Sequence, residues 1–360
     1  MIKKLNVDEI IFIFFIILSV LFLIFLIKPI EIVYIIEWKT IFSLFYILVI
    51  VNILKDCGFL EWISLKILKK TDRVFIVLIL LTLIMSMFVT NDIALFVVIP
   101  ITLIISKYCD INLRKILMLE GISANIGSSL TPFGNPQNLF IYQHYNINPI
   151  NFIVNMLPLE IFGLLILIPF LDFKRAKINI ELINNQEFKK EWLIYLVIFI
   201  LVVVSILGMF NYIYLFPIIL CISLIKRVKI DYLFILTFCA LFIDIEGLKR
   251  LGIIEFFKIS YENDIFIMVY ASILSQILSN VPTAILMSNI YNNWLPIAYG
   301  VNIGGNGTLI ASFANLITLR LSKGNIYLIE FLKYGFIIYI LHLSLLVIYL
   351  LFQQECLTYL

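Results

Sequence analysis

The apolar segments of this chain are continuous. Residues 10–27, 192–209 and 337–352 each approach the ~20 residues that span a bilayer, with none of the alternation of a half-buried strand. In lipid a backbone satisfies its own hydrogen bonds only as helices or as a closed barrel, and unalternating runs select helices. Hydrophobic residues make up 63% of the 360 and charged residues 14%, whereas a soluble domain carries roughly 45–50% and about 25%. The chain reads as an all-α integral membrane protein. Lys3 and Lys4 precede the first run, and the bulky Leu26-Ile27-Lys28-Pro29 offers no small-x-small cleavage site. That run is therefore expected to be the first membrane helix rather than a cleaved signal.

One apolar stretch is interrupted by Asn125-Ile126-Gly127-Ser128-Ser129-Leu130-Thr131-Pro132-Phe133-Gly134-Asn135-Pro136-Gln137-Asn138. Two Pro and two Gly in this span break a regular helix, since Pro removes an amide donor and Gly frees the backbone. A second copy, 302–315, aligns without a gap at an offset of 177. It pairs Asn125 with Asn302, Gly127 with Gly304, Thr131 with Thr308, Gly134 with Ala311, Asn135 with Ser312 and Asn138 with Asn315. The repeat is wider than the breaks. Residues 37–62 match 231–256, and Thr90-Asn91 matches Ser279-Asn280, in the same order.

Spans are expected at about 9–27 and 37–56, with an amphipathic interfacial segment at 59–70. Short arms 73–88 and 93–107 flank Thr90-Asn91-Asp92, the first broken helix covers 113–143, and 150–171 follows. A charged loop, 172–191, precedes spans at 192–210, 212–225 and 231–248. Arms 265–278 and 284–291 flank Ser279-Asn280-Val281-Pro282-Thr283, and a broken helix at 295–321 and a span at 326–352 complete the chain. The arms are short for spans, so each pair reads as a re-entrant hairpin, with two ordinary helices as the alternative. The extra crossing at 192–210 places the second unit on the opposite side of the membrane. The expectation is two inverted-topology repeats with about nine crossing helices, two re-entrant hairpins and two broken helices. Residues 1–171 form the first repeat (inner hairpin 73–107), 172–210 a cytoplasmic loop and linking helix, and 211–360 the second (outer hairpin 265–291). On this topology 20 of the 26 Lys and Arg fall on one side. Lys28, Lys39, Lys249, Arg250 and Lys258 fall on the other, and Lys333 lies within the last span. Positive residues mark the cytoplasm. A multi-pass plasma-membrane protein follows, with its N-terminus inside and its C-terminus outside.

A helix that stops within the membrane leaves unpaired amides or carbonyls at its end. Its N-terminal end favours anions, and its C-terminal end and loop carbonyls suit a bare cation. No Lys or Arg lies in the breaks, so an anion there relies on amides, hydroxyls and a co-bound cation. Gly127, Gly304 and Gly305 also suit close helix packing. Asp92 is the sharpest single residue, because an ionised carboxylate at the bilayer centre costs roughly 2.5–3.5 kcal/mol. It reads either as a Na⁺ or proton site or as an N-cap for the following helix. Glu120 is a secondary candidate, while Asp244 and Glu246, near a helix end, are expected to be solvated. The five Cys lack C-x-x-C spacing and read as packing residues. There is no H-E-x-x-H, no phosphate loop after Gly304-Gly305-Asn306-Gly307 and no soluble ATPase domain. The chain is expected not to be an enzyme, to need no cofactor beyond a coupling Na⁺ or H⁺, and not to bind nucleic acid.

At these residues the chain resembles the ion transporter superfamily of divalent anion/sodium symporters, citrate transporters, arsenite permeases and NhaD-type sodium–proton antiporters. Thr90-Asn91-Asp92 and Ser279-Asn280-Val281-Pro282-Thr283 look like its hairpin tips, and 125–138 and 302–315 like its unwound helices. The resemblance implies Na⁺ held at Thr90, Asn91 and Asn135 and at Ser279, Asn280 and Thr308. It implies a substrate between tips and breaks at Thr90, Asn91, Thr131, Gly134, Asn135, Asn138, Ser279, Asn280, Thr283, Thr308 and Ser312. Asp92, Asn91, Asn125, Gly127, Asn135, Asn280, Asn302 and Gly304 are the expected ion-coupling set. An elevator-like movement, often in a homodimer, is implied too. Asp92 stands where the dicarboxylate branch has Thr, and Val281-Pro282 interrupts the second tip, which leans toward the arsenite/antiporter branch. The expected function is secondary active transport of a small anion, a carboxylate or oxyanion, coupled to Na⁺ or H⁺. The alternatives are a Na⁺/H⁺ antiporter using Asp92 or an arsenite/antimonite efflux permease, and last a passive channel or a non-transporting receptor.

Overall fold

The computed structural model describes residues 7–68, 70–175, 191–257 and 263–358. Most of the expected charged loop, together with Lys3, Lys4, Lys69 and Lys258, lies outside the described residues. Within them the chain forms α-helices joined by short 3₁₀ turns, and no strand. The first half contains α1 (Val7–Phe25), α2 (Ile32–Ile35), α3 (Trp38–Asp56), α4 (Phe59–Leu68), α5 (Val74–Val89), α6 (Asn91–Ile105), α7 (Leu113–Gly127), α8 (Pro136–His144) and α9 (Pro149–Leu167). The second contains α10 (Trp192–Ile206), α11 (Phe216–Ile225), α12 (Tyr232–Arg250), α13 (Asp264–Leu278), α14 (Asn280–Ser288), α15 (Trp294–Gly304), α16 (Phe313–Leu321) and α17 (Leu328–Thr358).

Side-chain caps fix many of the helix starts. Asn112, Asn135, Asn148, Asp231, Asn263 and Asn293 each accept a hydrogen bond from a first-turn amide, one of the donors a helix cannot satisfy itself. Pro136 and Pro149 follow two of these caps, where a missing N–H costs nothing. The same logic corrects the second hairpin. Its second arm begins at Asn280, not at residue 284, because Pro282 falls in the first turn of α14, where no amide is needed. The expected span at 212–225 is a 3₁₀ turn, Tyr212–Leu215, followed by the ten-residue α11.

Among the described residues, three helices are long and apolar enough to cross a membrane, Trp38–Asp56, Pro149–Phe170 and Leu328–Glu355. Exposed apolar side chains line the perimeter, among them Ile24 and Phe25 on α1, Ile194 and Val197 on α10, and Ile340 and Ile348 on α17. Water would penalise such a surface and hydrocarbon does not. The interior holds one large apolar core that runs through both halves.

The halves interlock. Helix α5 packs on α7 and α13 on α15, so each hairpin grips its own broken helix. Across the halves, α16 packs on α6, α8 on α14, α1 on α12 and α10 on α3. Both breaks, 128–135 and 305–312, have the same length. Positive φ recurs at matched positions, at Gly58 and Gly252 and at Asn146 and Lys323.

Candidate functional site

Each hairpin turns on a single residue. Thr90 ends α5 and opens α6 with φ 83° and ψ 149°. Ser279 does the same between α13 and α14 with φ 76° and ψ 156°. This region is nearly reserved for glycine and costs other residues about 1–3 kcal/mol. A tertiary bond holds each tip. The Asn91 amide donates to Gly134 O at 3.0 Å, and the Asn280 amide donates to Ala311 O at 2.9 Å. The acceptors are the aligned pair in the two breaks. The N-terminus of α6 therefore lies against that of α8, and that of α14 against that of α16, which sets four partial positive charges in two pairs.

The two breaks bond directly to each other. Asn125 Nδ2 donates to Asn315 Oδ1 at 2.9 Å, and its counterpart Asn302 Nδ2 donates to Asn138 Oδ1 at 2.7 Å. Ser312 Oγ donates to Asn125 Oδ1 at 2.9 Å, and Asn135 Nδ2 donates to Asn302 Oδ1 at 3.0 Å. Within each break the same residues gather carbonyls. Asn138 Nδ2 donates to the oxygens of Ser129 and Thr131, and Asn315 Nδ2 to those of Gly305 and Thr308. All six side chains are at most 4% exposed. The four bonds across the halves, and those from Asn138 to Thr131 and from Asn315 to Thr308, pair at the repeat offset, so the two stretches form one structure. Asn125 and Asn302, expected to couple ions, use their polar atoms on the protein itself.

The remaining expected residues divide by position. Thr131 Oγ1 donates to Met87 O at 2.6 Å and Thr308 Oγ1 to Gln276 O at 2.9 Å, tying each break to its own hairpin. Thr283 Oγ1 donates to Ser279 O, within its own helix. Gly127 and Gly304 are packing positions. A Cβ at Gly127 would lie 2.2 Å from Leu83 O on α5, and one at Gly304 2.6 Å from Ser275 Cβ and 2.7 Å from Ser272 O on α13.

Asp92 is not the N-cap. Thr90 holds that place, and Asp92 lies in the first turn of α6 with its Oδ1 buried and without a partner. It lines a cavity of about 390 Å³ together with Asn52, Lys55, Lys229, Asp231 and Arg320. A second cavity, of about 450 Å³, is lined by Glu31, Glu37, Phe140, His144, Glu246 and Arg250. The first takes the C-terminal end of α3 and the N-terminal end of α12, and the second takes the opposite ends. The matched helices α3 and α12 therefore run in opposite directions. The first cavity adds α6 and α16, and the second adds their counterparts α14 and α8. The rim of the second carries ion pairs, Arg250 with Glu31 at 2.9 Å and with Glu246 at 3.0 Å. The Lys28 amide and the Arg250 guanidinium hold the Glu31 carboxyl below its usual range.

Buried carboxylates are more numerous than expected. Glu120 accepts from Thr102 Oγ1 and Glu160 from Ser129 Oγ, each leaving its other oxygen unpaired. Asp244, expected to be solvated, is 2% exposed with neither oxygen hydrogen-bonded. Helices α1 and α2 pack on α12, and Phe22 of α1 lies against Gly247 near its C-terminal end. Glu246 is partly exposed and pairs with Arg250. Glu160 and Gln276 carry no motif, and their partners lie on other elements.

Comparison with known proteins gives this architecture a context. The family model of the citrate transporters matches residues 8–293. An uncharacterized transporter of Methanocaldococcus jannaschii is 60% identical over 327 residues, covering 89% of this chain and 92% of that protein. The inner membrane protein YbiR of Escherichia coli is 28% identical over 320 residues, covering 80% of this chain and 81% of its own. A Dictyostelium discoideum protein named as the transporter arsB is 32% identical over 164 residues, 44% of this chain and 29% of that protein. The match to the family model and the breadth of the archaeal match place this multi-pass membrane protein in the citrate transporter family, as a transporter.

Proposed function

We propose that the protein is a secondary active transporter that moves a small anion, a carboxylate or an oxyanion, with Na⁺ or H⁺ as the coupling ion. The observation that carries this reading is the pair of cavities at opposite ends of α3 and α12, each lined by matched elements of the two halves. A transporter that opens to one side at a time needs two such approaches to one site. The site is the ring of tips and breaks. On this reading Thr90, Asn91, Gly134, Asn135, Ser279, Asn280, Thr308 and Ser312 would surround the anion, with four helix N-termini to hold it. Lys55, Lys229 and Arg320 outnumber Asp92 and Asp231 around the first cavity, which favours the entry of negative charge. The family's name favours a carboxylate. The two halves act as inverted copies, and elevator-like movement exchanges the two openings. A second reading, Na⁺/H⁺ antiport or oxyanion efflux, is favoured by the unpaired Oδ1 of Asp92 and by the relative named arsB.

The test is reconstitution into liposomes with labelled citrate, succinate or arsenite under imposed Na⁺ or pH gradients. Accumulation against the anion gradient, abolished when the cation gradient is collapsed, is the expected result. Sodium-driven proton movement with no anion present would select the antiporter instead, and flux that ignores every gradient would select a channel.

A further inference from the structure

The two halves share the hydrogen bonds that tie tips to breaks and break to break, and one difference between them bears on ion coupling. Met87 and Gln276 occupy the same place, because the backbone oxygen of each accepts from the matched threonine hydroxyl, Thr131 or Thr308. Their side chains differ in kind. Gln276 Nε2 donates to Gly304 O at 2.7 Å and to Asn306 O at 2.9 Å, while its Oε1 accepts from the Thr308 amide at 2.8 Å. One neutral amide thus closes the carbonyls and the loose amide of the second break. The Met87 thioether donates nothing and accepts only weakly. In the first break the matched carbonyls belong to Gly127 and Ser129. Ser129 O accepts from Asn138 Nδ2, and Gly127 O accepts a long 3.4 Å bond from the Leu130 amide.

We infer that the Gln276 amide takes the place of a bound monovalent cation in the second half, so that the protein couples to one cation, held in the first half. This rests on the transport reading above. Loop carbonyls that converge in a part-buried site need a positive partner, since buried acceptors without one cost free energy. A partial positive charge on an amide nitrogen meets that need permanently, and a cation meets it only when bound. The second break is therefore set at all times. The first break retains carbonyl capacity, next to the tip that presents Asn91, and its closure depends on the ion. The resemblance-based expectation of a second Na⁺ at Ser279, Asn280 and Thr308 is replaced by a side chain already in position.

The substitution Gln276→Glu tests this. It keeps the shape, removes the donor, and sets a carboxylate oxygen against Gly304 O and Asn306 O. A cation or a proton must then sit between them. Thermal melting of the purified protein is followed in NaCl and in choline chloride at fixed pH, and then across pH in choline chloride alone. The variant's midpoint is expected to rise with Na⁺, or with acid if the proton is the cation, more steeply than the wild type's. Gln276→Met, which installs the first-half side chain, is expected to shift the same way and serves if the glutamate variant does not fold. In liposomes the wild-type rate is expected to follow cation concentration with a Hill coefficient near one, rising toward two in the variants. A wild-type coefficient of two, or variants whose cation-dependent melting matches the wild type's, would overturn the inference. Absence of all coupled transport by the wild type would instead refute the transport reading, and the melting comparison would still report on Gln276.

Discussion

At the scale of single residues, the side chains that look most like ligands in the sequence are largely engaged with one another. Asn125 bonds Asn315, Gly305 and Ser312. Removing its amide strands buried acceptors at about 1–3 kcal/mol each, beyond the loss of the bonds themselves. Asn125→Ala is expected to lower stability by about 2–4 kcal/mol. Because Asn315 shares the bond, the Asn125→Ala, Asn315→Ala double variant should lose less than the sum of the singles, with a coupling of roughly 0.5–3 kcal/mol. Additive midpoints in thermal melts would show that the lattice carries no cooperative strength. The sequence made this set visible because each member recurs at the same offset, and a shared pattern of Asn in an apolar setting has few explanations. It could not show that the members bond across the halves. Asp244 reads as solvated in the sequence because its position near a helix end says nothing about the helices packed over it. Gln276 was silent because its counterpart is Met87, so no repeat pointed to it.

At the scale of elements, the broken helices are positioned by backbone-to-backbone approach. Gly304 and Gly305 are neighbours in sequence and face different surroundings. A Cβ at Gly304 would meet Ser275 Cβ at 2.6 Å and Ser272 O at 2.7 Å, whereas one at Gly305 would find its nearest atom, Asn302 O, at 3.3 Å. Gly304→Ala is therefore expected to push α15 off α13 and cost about 1–3 kcal/mol or more, while Gly305→Ala costs less than half as much. Melting of the two variants side by side decides this, and equal losses would contradict the packing assignment. Much at this scale was legible. The apolar runs gave the helices, and the paired Gly and Pro gave the interruptions. Arm boundaries were less so, because Pro282 looks like a breaker until its place in the first turn of α14 is known. The pairing of α16 with α6 and of α8 with α14 had no signal, since it joins segments more than 130 residues apart with no shared pattern between them.

At the scale of the whole molecule, the opposed directions of α3 and α12 give the charge asymmetry a structural partner. Single cysteines placed at Lys55, Lys229 and Arg320 should react with a membrane-impermeant thiol reagent from the cytoplasmic face, and cysteines at Glu31 and Asn289 from the outer face. These residues line the first and second cavities respectively. Labelling of both groups from one face would remove the inverted arrangement. A consequence follows from the matched but unequal halves. On the transport reading proposed above, each half adopting the backbone of the other would present the molecule's other face, and one chain would encode two endpoint shapes. Matched residues contribute alike to both endpoints and cancel in their difference. On that reading the balance between the endpoints, and with it the preferred resting orientation, is left to the unmatched side chains, among them Asp92 opposite Val281, Pro132 opposite Leu309, Gln137 opposite Ala314 and Met87 opposite Gln276.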